Sequence, residues 1–422
     1  MLECKDSFQP GCASFSELDR QIVGSGLLSF QRSALTTARL SKTEKLATLT
    51  KTATKFFPMR ILLLLTSVFD LIGGVHTFNR ALIKATDDIA SVFGLDVTVF
   101  SLLDEEVPRQ AAANYMSSGH IRYKGFKGNR TKFAAAALLT GWKADRAVFG
   151  HVNFSPLACA MPKPVKSVVV HGIDVWKPLG TLQRLGVSQM REILSVSEYT
   201  QQALVRFNGI PPVRFCLLPD TLDPFYSKTA VKIRSKKELG LPQGHMMLTV
   251  TRLGGTEGYK RVDLVIKAMP TILQNVSDAF YVVVGDGADR FRLEKLGRET
   301  GVGDKLFFAG FVPDELLPSY YAACDLFVLP SLKEGFGIVF LEAMFHSKAC
   351  IGARAGGIPE VVKDGETGLL AERDSVDSFA QCVLRLLRNG QERDAMGRRG
   401  KERLEQEFSY GKFRARLERL LC

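Results

Sequence analysis

Short apolar runs recur along the chain from residue 59 onwards, and each is followed by a glycine, a proline or a polar or small residue. Such runs are typical of strands that are buried on both faces of a parallel sheet. The segments between them carry apolar residues at helical spacing, as in the stretch from Ile338 through Leu341 to Met344. The alternation predicts an α/β protein. The predicted strands are residues 59–65, 97–100, 146–150, 166–170, 193–196, 215–218, 246–250, 280–284, 306–308, 326–329 and 349–353.

Residues 325–360 form the most informative segment, DLFVLPSLKEGFGIVFLEAMFHSKACIGARAGGIPE. A predicted strand ends at Pro330, and a glycine loop over residues 334–337 leads into a helix. A second strand ends at a Gly-Gly turn at residues 356–357. In open α/β sheets such turns lie at the carboxyl ends of strands, where ligands bind. The helix start beyond the loop offers free N–H groups and a positive dipole end, which suit an anion.

Two pairs of charged residues indicate the chemistry of this region. Glu334 and Glu342 flank the helix start, with seven residues between them. A carboxylate accepts two hydroxyl groups at once, so both are suited to a sugar or a ribose, unless they merely complement the helix dipole. Arg252 follows a strand and Lys260 comes eight positions later. Two cations that converge on one loop suit a diphosphate leaving group, unless both are simply solvated.

The motif E-G-F-G-x-x-x-x-E-A-M followed by A-G-G-I-P-E resembles the donor site of the retaining glycosyltransferases of family 4. The resemblance extends in weaker form from Met59 to the C-terminus. It implies a GT-B fold: two Rossmann-like domains facing a central cleft, over residues 59–223 and 224–407, with a helix in residues 408–422 crossing back to complete the first domain. Residues 1–58 lack a compact apolar pattern, and we expect them to be a poorly ordered extension.

The resemblance also implies an activity, the transfer of a hexose from a nucleoside-diphosphate sugar to an acceptor hydroxyl with retention. Arg252 and Lys260 would neutralise the departing diphosphate, and Glu342 would hold the ribose. Glu334 would bind hydroxyls of the donor sugar, and His171 would lie near the reacting carbon. The catalytic residues are then expected to be His171, Glu334, Arg252 and Lys260. The implied donor-binding residues are Gly73, Gly74, Arg252, Lys260, Val312, Glu334, Gly335, Phe336, Gly337, Ile338, Val339 and Glu342.

Several features qualify these expectations. The family usually has Asn where Asp220 stands here. A second strand-end histidine, His151, could face the same cleft, but a lone histidine is more often structural. The sequence has no Asp-x-Asp metal motif, so we expect neither a metal nor a cofactor. An epimerase of the same fold and a non-catalytic sugar-nucleotide-binding partner remain as alternatives. A Rossmann oxidoreductase is disfavoured because G-x-G-x-x-G is absent.

Composition and charge bear on the location of the protein. The chain has 422 residues, 46% hydrophobic and 24% charged, which fits a globular protein of two domains. No apolar run approaches the roughly 20 residues of a membrane helix. The eight cysteines are scattered without a C-x-x-C pair, which indicates a reducing compartment. We therefore expect a cytoplasmic protein.

The net charge of +12 includes one dense basic cluster, Arg122, Lys124, Lys127, Arg130 and Lys132, interleaved with Tyr123, Phe126 and Phe133. This basic cluster is suited to an anionic membrane surface or an anionic acceptor. The alternative is a solvated loop. No nucleic-acid-binding motif accompanies the charge, so nucleic acid is not an expected partner. The expected acceptor is a lipid-linked or growing polysaccharide at the inner face of the membrane, where the protein would bind peripherally.

Overall fold

The computed structural model describes residues 58–422 except Ile72, Glu106, Ala230 and Val231. The predicted N-terminal extension, residues 1–58, therefore lies outside the described part except for Pro58. Within that part the strands form two separate parallel sheets, and helices connect consecutive strands. The expected α/β architecture of two Rossmann-like domains is confirmed.

The first sheet has seven strands in the order β3-β2-β1-β4-β5-β6-β7. Its central strand β1 is fully apolar after Arg60, and Ile61 to Leu65 are all buried. A strand flanked by neighbours and covered by helices on both faces needs this composition. The strands are β1 (Arg60–Leu65), β2 (Asp96–Ser101), β3 (Ile121–Gly125), β4 (Arg146–Phe149), β5 (Val165–Val170), β6 (Glu192–Ser195) and β7 (Phe215–Leu217).

The helices of this half lie between those strands. They are α1 (Gly74–Phe93), α2 (Arg109–Tyr115), α3 (Arg130–Gly141), α4 (Thr181–Ser188) and α5 (Glu198–Asn208), with 3-10 turns at Val152–Ala160, Ile173–Val175 and Pro212–Arg214. Ser197 caps α5 by accepting a hydrogen bond from the Thr200 N–H, as its position in the sequence predicts. Helix α6 (Tyr226–Thr229) follows the crossover from the first sheet.

The second sheet has six strands in the order β10-β9-β8-β11-β12-β13. They are β8 (Met246–Val250), β9 (Phe280–Val284), β10 (Leu306–Gly310), β11 (Leu326–Leu329), β12 (Ala349–Ala353) and β13 (Gly368–Ala371). The helices are α7 (Val262–Asn275), α8 (Arg290–Glu299), α9 (Leu317–Ala323), α10 (Ile338–Phe345), α11 (Ile358–Val361), α12 (Val376–Arg388) and α13 (Gly390–Glu407), with 3-10 turns at Gly258–Lys260 and Gly303–Lys305. Strand β11 pairs with β8 and β12, so the segment predicted to carry the chemistry begins at the middle of the sheet.

The last helix, α14 (Tyr410–Leu421), packs on α1 of the first sheet. The Tyr410 hydroxyl donates a 2.6 Å hydrogen bond to Asp88, and the Phe413 ring meets the Phe78 ring edge to face at 5.5 Å. The C-terminal helix therefore crosses back to the first half, as the resemblance implied. Leu417 is fully buried on this face, while Leu420 is only partly buried.

The basic cluster is not a loop. Arg122 and Lys124 lie on β3, the edge strand of the first sheet, and Lys132 lies in the first turn of α3. All five basic side chains are exposed, but Phe126 and Phe133 are buried in the core. Tyr123 is also turned inward and donates a hydrogen bond to Asp104. The aromatic residues of this segment hold the sheet edge together and are not part of an exposed binding surface.

Candidate active site

The glycine loop at residues 334–337 joins β11 to α10 and touches the first half of the molecule. A Cβ atom on Gly335 would lie 1.9 Å from the His171 carbonyl oxygen, so only glycine permits this approach. Gly337 has a φ of 102° and starts α10, which is also a glycine conformation. Gly335, which the sequence predicts to lie beside a ligand, therefore allows the two halves to come into backbone contact.

Lys260 and Glu334 form an ion pair at this loop. The Lys260 Nζ lies 2.7 Å from Glu334 Oε2, and the two side chains are only 18% and 15% exposed. Burial disfavours the charged lysine, but the Glu334 carboxylate outweighs it and raises the pKa of Lys260. The sequence analysis assigned Lys260 to the diphosphate of a donor and Glu334 to its sugar. In the structure the two side chains form an ion pair with each other.

Arg252 lies in the loop after β8 and is exposed. Its guanidinium is 2.7 Å from Glu257, within the same loop. Its charge also reaches the first half, because burial, Arg80 and Arg252 together lower the pKa of His76 at the start of α1. The charge of Arg252 therefore acts on the start of α1.

That glycine turn borders the start of α10. Gly73 has a φ of 144° and caps α1, and a Cβ on Gly74 would lie 3.7 Å from Ile338 Cδ1. The start of a twenty-residue helix and the start of α10 therefore face the same space. The predicted residues Gly73, Gly74 and Ile338 are brought together at the junction of the two halves, and the charge of Arg252 acts on His76 beside them.

Glu342 lies within α10 and is partly buried. Tyr321, on α9, donates a 2.6 Å hydrogen bond to its Oε2. Removal from solvent raises the pKa of Glu342 to about 7, although the Tyr321 hydrogen bond favours the ionised form. Neither Glu334 nor Glu342 is in the first turn of the helix, so dipole compensation does not explain them.

His171 follows β5 and is held by the first half. Its Nε2 lies 2.8 Å from the Gly150 carbonyl oxygen, and its ring meets the Phe78 ring at 5.0 Å. Since a carbonyl can only accept, Nε2 carries the ring proton. Burial lowers the pKa of His171 and keeps it neutral. His151 has the structural role, because its Nδ1 accepts from the Asn153 N–H and caps a 3-10 turn.

The remaining predicted residues are mostly packing residues. The Phe336 ring is buried against the Phe408 ring at 5.3 Å, so only its backbone is available to a ligand. The Val339 carbonyl oxygen lies 3.5 Å from the Tyr321 hydroxyl. Val312 is buried beyond the end of β10, in the same hydrophobic cluster as Phe336 and Ile338.

Known proteins are similar to the part of the chain that carries most of this site. Residues 232–403 match the model of the glycosyl transferases group 1. The chain is 31% identical over 261 residues to the GDP-mannose-dependent alpha-(1-6)-phosphatidylinositol monomannoside mannosyltransferase of Mycobacterium tuberculosis. Over residues 232–403 the chain is therefore similar to the group 1 glycosyl transferases. The alignment covers 58% of this chain and 66% of the mycobacterial protein, just under two thirds of its length.

Other known proteins are similar over different shares of the chain. The N-acetyl-alpha-D-glucosaminyl L-malate synthase of Bacillus anthracis is 33% identical over 57% of this chain and 62% of its own length. A monoacylated phosphatidylinositol monomannoside mannosyltransferase of Corynebacterium glutamicum is 28% identical over 83% of this chain and 94% of its own. The crystal structure of Anabaena HepE in complex with UDP and glucose superposes with a TM-score of 0.67 at 19% identity, over 86% of this chain and 99% of that one. At this identity the likeness shows the fold alone, which is the GT-B fold.

The roles of two residues of this site, Tyr321 and Glu360, could not be predicted from the sequence. Tyr321 gives no signal, because its contact with Glu342 depends on how α9 and α10 pack. Glu360 belongs to the Gly-Gly-Ile-Pro-Glu motif, but its partner lies in the other half: its carboxylate accepts from the N–H groups of Glu198 and Tyr199 at 2.7 Å and 2.8 Å. It thereby binds the N-terminus of α5 to the second sheet.

The described residues contain neither a group of metal ligands nor a membrane-spanning helix. In the part of the chain that the structure describes, no three His, Cys, Asp or Glu side chains are grouped so as to hold a metal ion. Among those residues, no helix is long and apolar enough to cross a membrane.

Proposed function

We propose that this protein is a retaining glycosyltransferase of family 4 that transfers a hexose from a nucleoside-diphosphate sugar to an acceptor hydroxyl. The observation that carries the proposal is the Lys260–Glu334 ion pair, which lies beside a helix start and at backbone contact with the other half of the molecule. A buried cation next to a carboxylate at such a place suits a ligand with a diphosphate and hydroxyl groups. The relatives named above as GDP-mannose-dependent enzymes support this donor class.

Each part of the donor has a chemically suitable group. Lys260 and Arg252 supply positive charge to the departing diphosphate, and the free N–H groups at the start of α10 add to it. Glu342 accepts hydrogen bonds from the ribose, and Glu334 accepts them from the donor sugar. His171, neutral and protonated on Nε2, leaves Nδ1 as an acceptor towards the sugar. With two cations at the diphosphate, we propose that the reaction needs no metal and no other cofactor.

Retention at the anomeric carbon is part of the proposal. No carboxylate is assigned here as a nucleophile on the face opposite the leaving group, so departure and attack on the same face are proposed. The two halves would close over the donor to exclude water. The anomeric configuration of the product, determined by proton NMR, tests retention. Turnover that a chelator abolishes and a divalent ion restores would contradict the proposed metal independence.

The acceptor is proposed to be a lipid-linked or growing polysaccharide at the cytoplasmic face of a membrane. The exposed basic cluster continues along α3 to Leu139 and to Trp142 just beyond its end, which are 71% and 63% exposed. Basic residues next to exposed apolar ones suit the surface of an anionic bilayer. The protein would then be a peripheral membrane protein with no nucleic-acid partner.

Thermal unfolding with UDP, GDP, UDP-glucose and GDP-mannose tests the donor site. A ligand at about a hundred times its Kd stabilises the fold by roughly 2.7 kcal/mol, which moves Tm by several degrees. We expect one nucleotide to shift the wild type and the exposed-site control Glu366→Ala equally, and to shift Glu342→Ala and Lys260→Ala much less. Absence of any shift would contradict the proposal.

Turnover assays separate the proposal from its alternatives. Sugar transfer to an added acceptor, with no change of free donor, is the expected result. Conversion of free donor to its epimer without an acceptor would identify an epimerase of the same fold. Binding without turnover over a broad acceptor panel would identify a non-catalytic partner protein.

A further inference from the structure

Tyr321 is a fully buried tyrosine whose hydroxyl group contacts Glu342 of the candidate donor site. It lies on α9 and is 0% exposed. Its hydroxyl donates a 2.6 Å hydrogen bond to Glu342 Oε2. The Val339 carbonyl oxygen is a second acceptor, but it lies 3.5 Å from the hydroxyl. The single proton of the hydroxyl is therefore directed to the carboxylate.

The ring of Tyr321 is held by two other rings. It lies parallel to the His346 ring at 5.8 Å, and it packs against the Phe327 ring of β11 at 5.7 Å. His346 is at the C-terminal end of α10, one turn beyond Glu342. Because packed interiors leave little room for a ring to move, the Tyr321 hydroxyl is a fixed donor for Glu342.

Glu342, unlike Tyr321, is partly accessible to solvent. The next step rests on the function proposed above, in which Glu342 accepts hydrogen bonds from the ribose. With one lone pair of Oε2 used by Tyr321, the carboxylate still has room for two hydroxyl groups. Tyr321 has no exposed surface and cannot touch a ligand itself. Any effect of Tyr321 on a ligand must therefore pass through Glu342.

We propose that Tyr321 is a positioning residue of the donor site, whose hydroxyl orients the Glu342 carboxylate so that the site selects nucleotides with both ribose hydroxyls. A carboxylate that is held in place cannot turn away when a ribose hydroxyl is missing, so a deoxy nucleotide leaves it with an unsatisfied acceptor. Without the Tyr321 hydroxyl the carboxylate is free to turn, and a missing ribose hydroxyl should then matter less.

The experiment compares Tyr321→Phe with the wild type and with the control Tyr281→Phe. Tyr281 is a matched residue, because it is also fully buried in the second half and its hydroxyl donates a 2.7 Å hydrogen bond, to Thr249. Calorimetric titration with GDP and UDP identifies the diphosphate that the wild type binds, and the 2′-deoxy and 3′-deoxy forms of that diphosphate are then titrated.

We expect the wild type and Tyr281→Phe to bind the deoxy forms about tenfold or more weakly than the ribose form, as for loss of a hydrogen bond to a charged group. Tyr321→Phe should discriminate by less than about threefold. Glu342→Ala should also lose the discrimination, and adding Tyr321→Phe to Glu342→Ala should change the affinity no further, because Tyr321 acts through Glu342.

The pH dependence of binding is a second measurement, which a purely structural role of Tyr321 would leave unchanged. Burial raises the pKa of Glu342 to about 7, and the Tyr321 hydrogen bond opposes this by favouring the ionised form. Asp314 also raises the pKa of Glu342 and Arg80 lowers it, while Tyr226 of α6 is a further titratable group that the charge of Glu342 reaches. The rise in affinity with pH should occur near pH 7 in the wild type and the control, and at higher pH in Tyr321→Phe.

The outcomes separate this inference from the proposed function. If the wild type binds neither diphosphate, the donor site itself is wrong. If the wild type binds one and does not distinguish its deoxy forms, the assignment of Glu342 to the ribose fails, and this inference fails with it. Full discrimination by Tyr321→Phe would overturn only the role of Tyr321. An equal loss in Tyr281→Phe would also overturn it, since loss of any buried hydroxyl would then have the same effect. Ligand-free Tm values and near-UV circular dichroism check that the variants fold, and Tyr321→Met replaces Tyr321→Phe if that one does not.

Discussion

Glu342 is the residue whose ionisation should control donor binding. Its pKa of about 7 means that it is roughly half protonated at neutral pH. A carboxylate accepts two ribose hydroxyls, whereas a neutral acid accepts less well and must place its own proton. We therefore expect nucleotide affinity to rise as the pH increases from about 6 to about 8. Calorimetric titration across this range measures the effect, and Glu342→Gln should bind weakly and with a much smaller pH dependence.

The same ionisation should act on stability in the opposite direction. The pKa of Glu342 is raised in the folded protein above its ordinary value of 4.5, so the neutral form is the one that the fold favours. Its contribution to the free energy of unfolding is fully present at acidic pH and is lost as the pH rises through about 7. We expect Glu342→Gln to gain stability relative to the ligand-free wild type between pH 5 and pH 8, by about 1–3 kcal/mol. Urea unfolding at both pH values measures this, and a constant difference would contradict it.

The Lys260–Glu334 pair should behave as one unit. Because both side chains are largely buried, removing one partner leaves an uncompensated charge, at a cost of roughly 3–5 kcal/mol. We expect Lys260→Met and Glu334→Gln each to be strongly destabilising, and the double variant to be less so than the sum of the two. A double-mutant cycle by urea unfolding measures the coupling. Additive losses would mean that the two charges do not depend on each other.

Single residues were predictable from the sequence only where their role is local or belongs to a motif. Ser197 could be assigned as a helix cap because its partner is three residues away. Glu334 and Lys260 could be singled out, but not as partners, because they are 74 residues apart in the chain. Tyr321 could not be assigned, since the packing of distant elements decides what it meets.

At the scale of elements, most of the parallel strands were predictable, and the two that were missed, β3 and β13, each lie at the edge of a sheet. The central strands are continuous apolar runs, which few other structures require. Strand β3, Ile-Arg-Tyr-Lys-Gly, is half exposed at the sheet edge, and its charges made it resemble a loop. Strand β13 begins with a glycine and has only three apolar residues after it, so it lacks a longer apolar run.

The surface that combines the basic cluster with α3 should bind anionic membranes. Arg122 is paired with Asp96 and Lys127 with Glu105, so part of the positive charge is neutralised within the protein. Arg130 and Lys132, exposed at the start of α3, are the better test. We expect the double variant Arg130→Glu/Lys132→Glu to lose most of its binding to phosphatidylserine vesicles, since each nearby cation contributes roughly 1 kcal/mol.

Two controls define that measurement. The variant Lys237→Glu/Arg298→Glu makes the same change of charge at exposed positions of the second half, and its vesicle binding should change little. Trp142→Ser tests the apolar part of the surface separately. Equal losses in both charge variants would show that net charge alone, and not this surface, attracts the protein to the vesicles.

At the scale of the whole molecule, the arrangement of two sheets followed from the resemblance and not from local patterns. Apolar periodicity predicts strands and helices, but it does not show that Gly335 meets His171 or that Phe336 packs on Phe408. The return of α14 to the first half was likewise implied by the family. The contacts that join the halves include α14 on α1, the backbone approach at Gly335, and Glu360 at the start of α5.

Of these contacts, Glu360 is the one that a single substitution can remove without disturbing either core. Its carboxylate satisfies two N–H groups of α5 from the opposite half and complements the positive end of that helix. Glu360→Ala should therefore weaken the attachment of the halves by about 0.5–2 kcal/mol, the usual range for losing a helix cap. We expect the ligand-free variant to have a larger radius of gyration in small-angle scattering and a weaker donor affinity, because closure would start from a more open ensemble. Glu366→Ala, an exposed glutamate on the same half, should match the wild type in both measurements. If Glu360→Ala is unchanged in radius of gyration but loses donor affinity, Glu360 acts at the donor site and not by holding the two halves together.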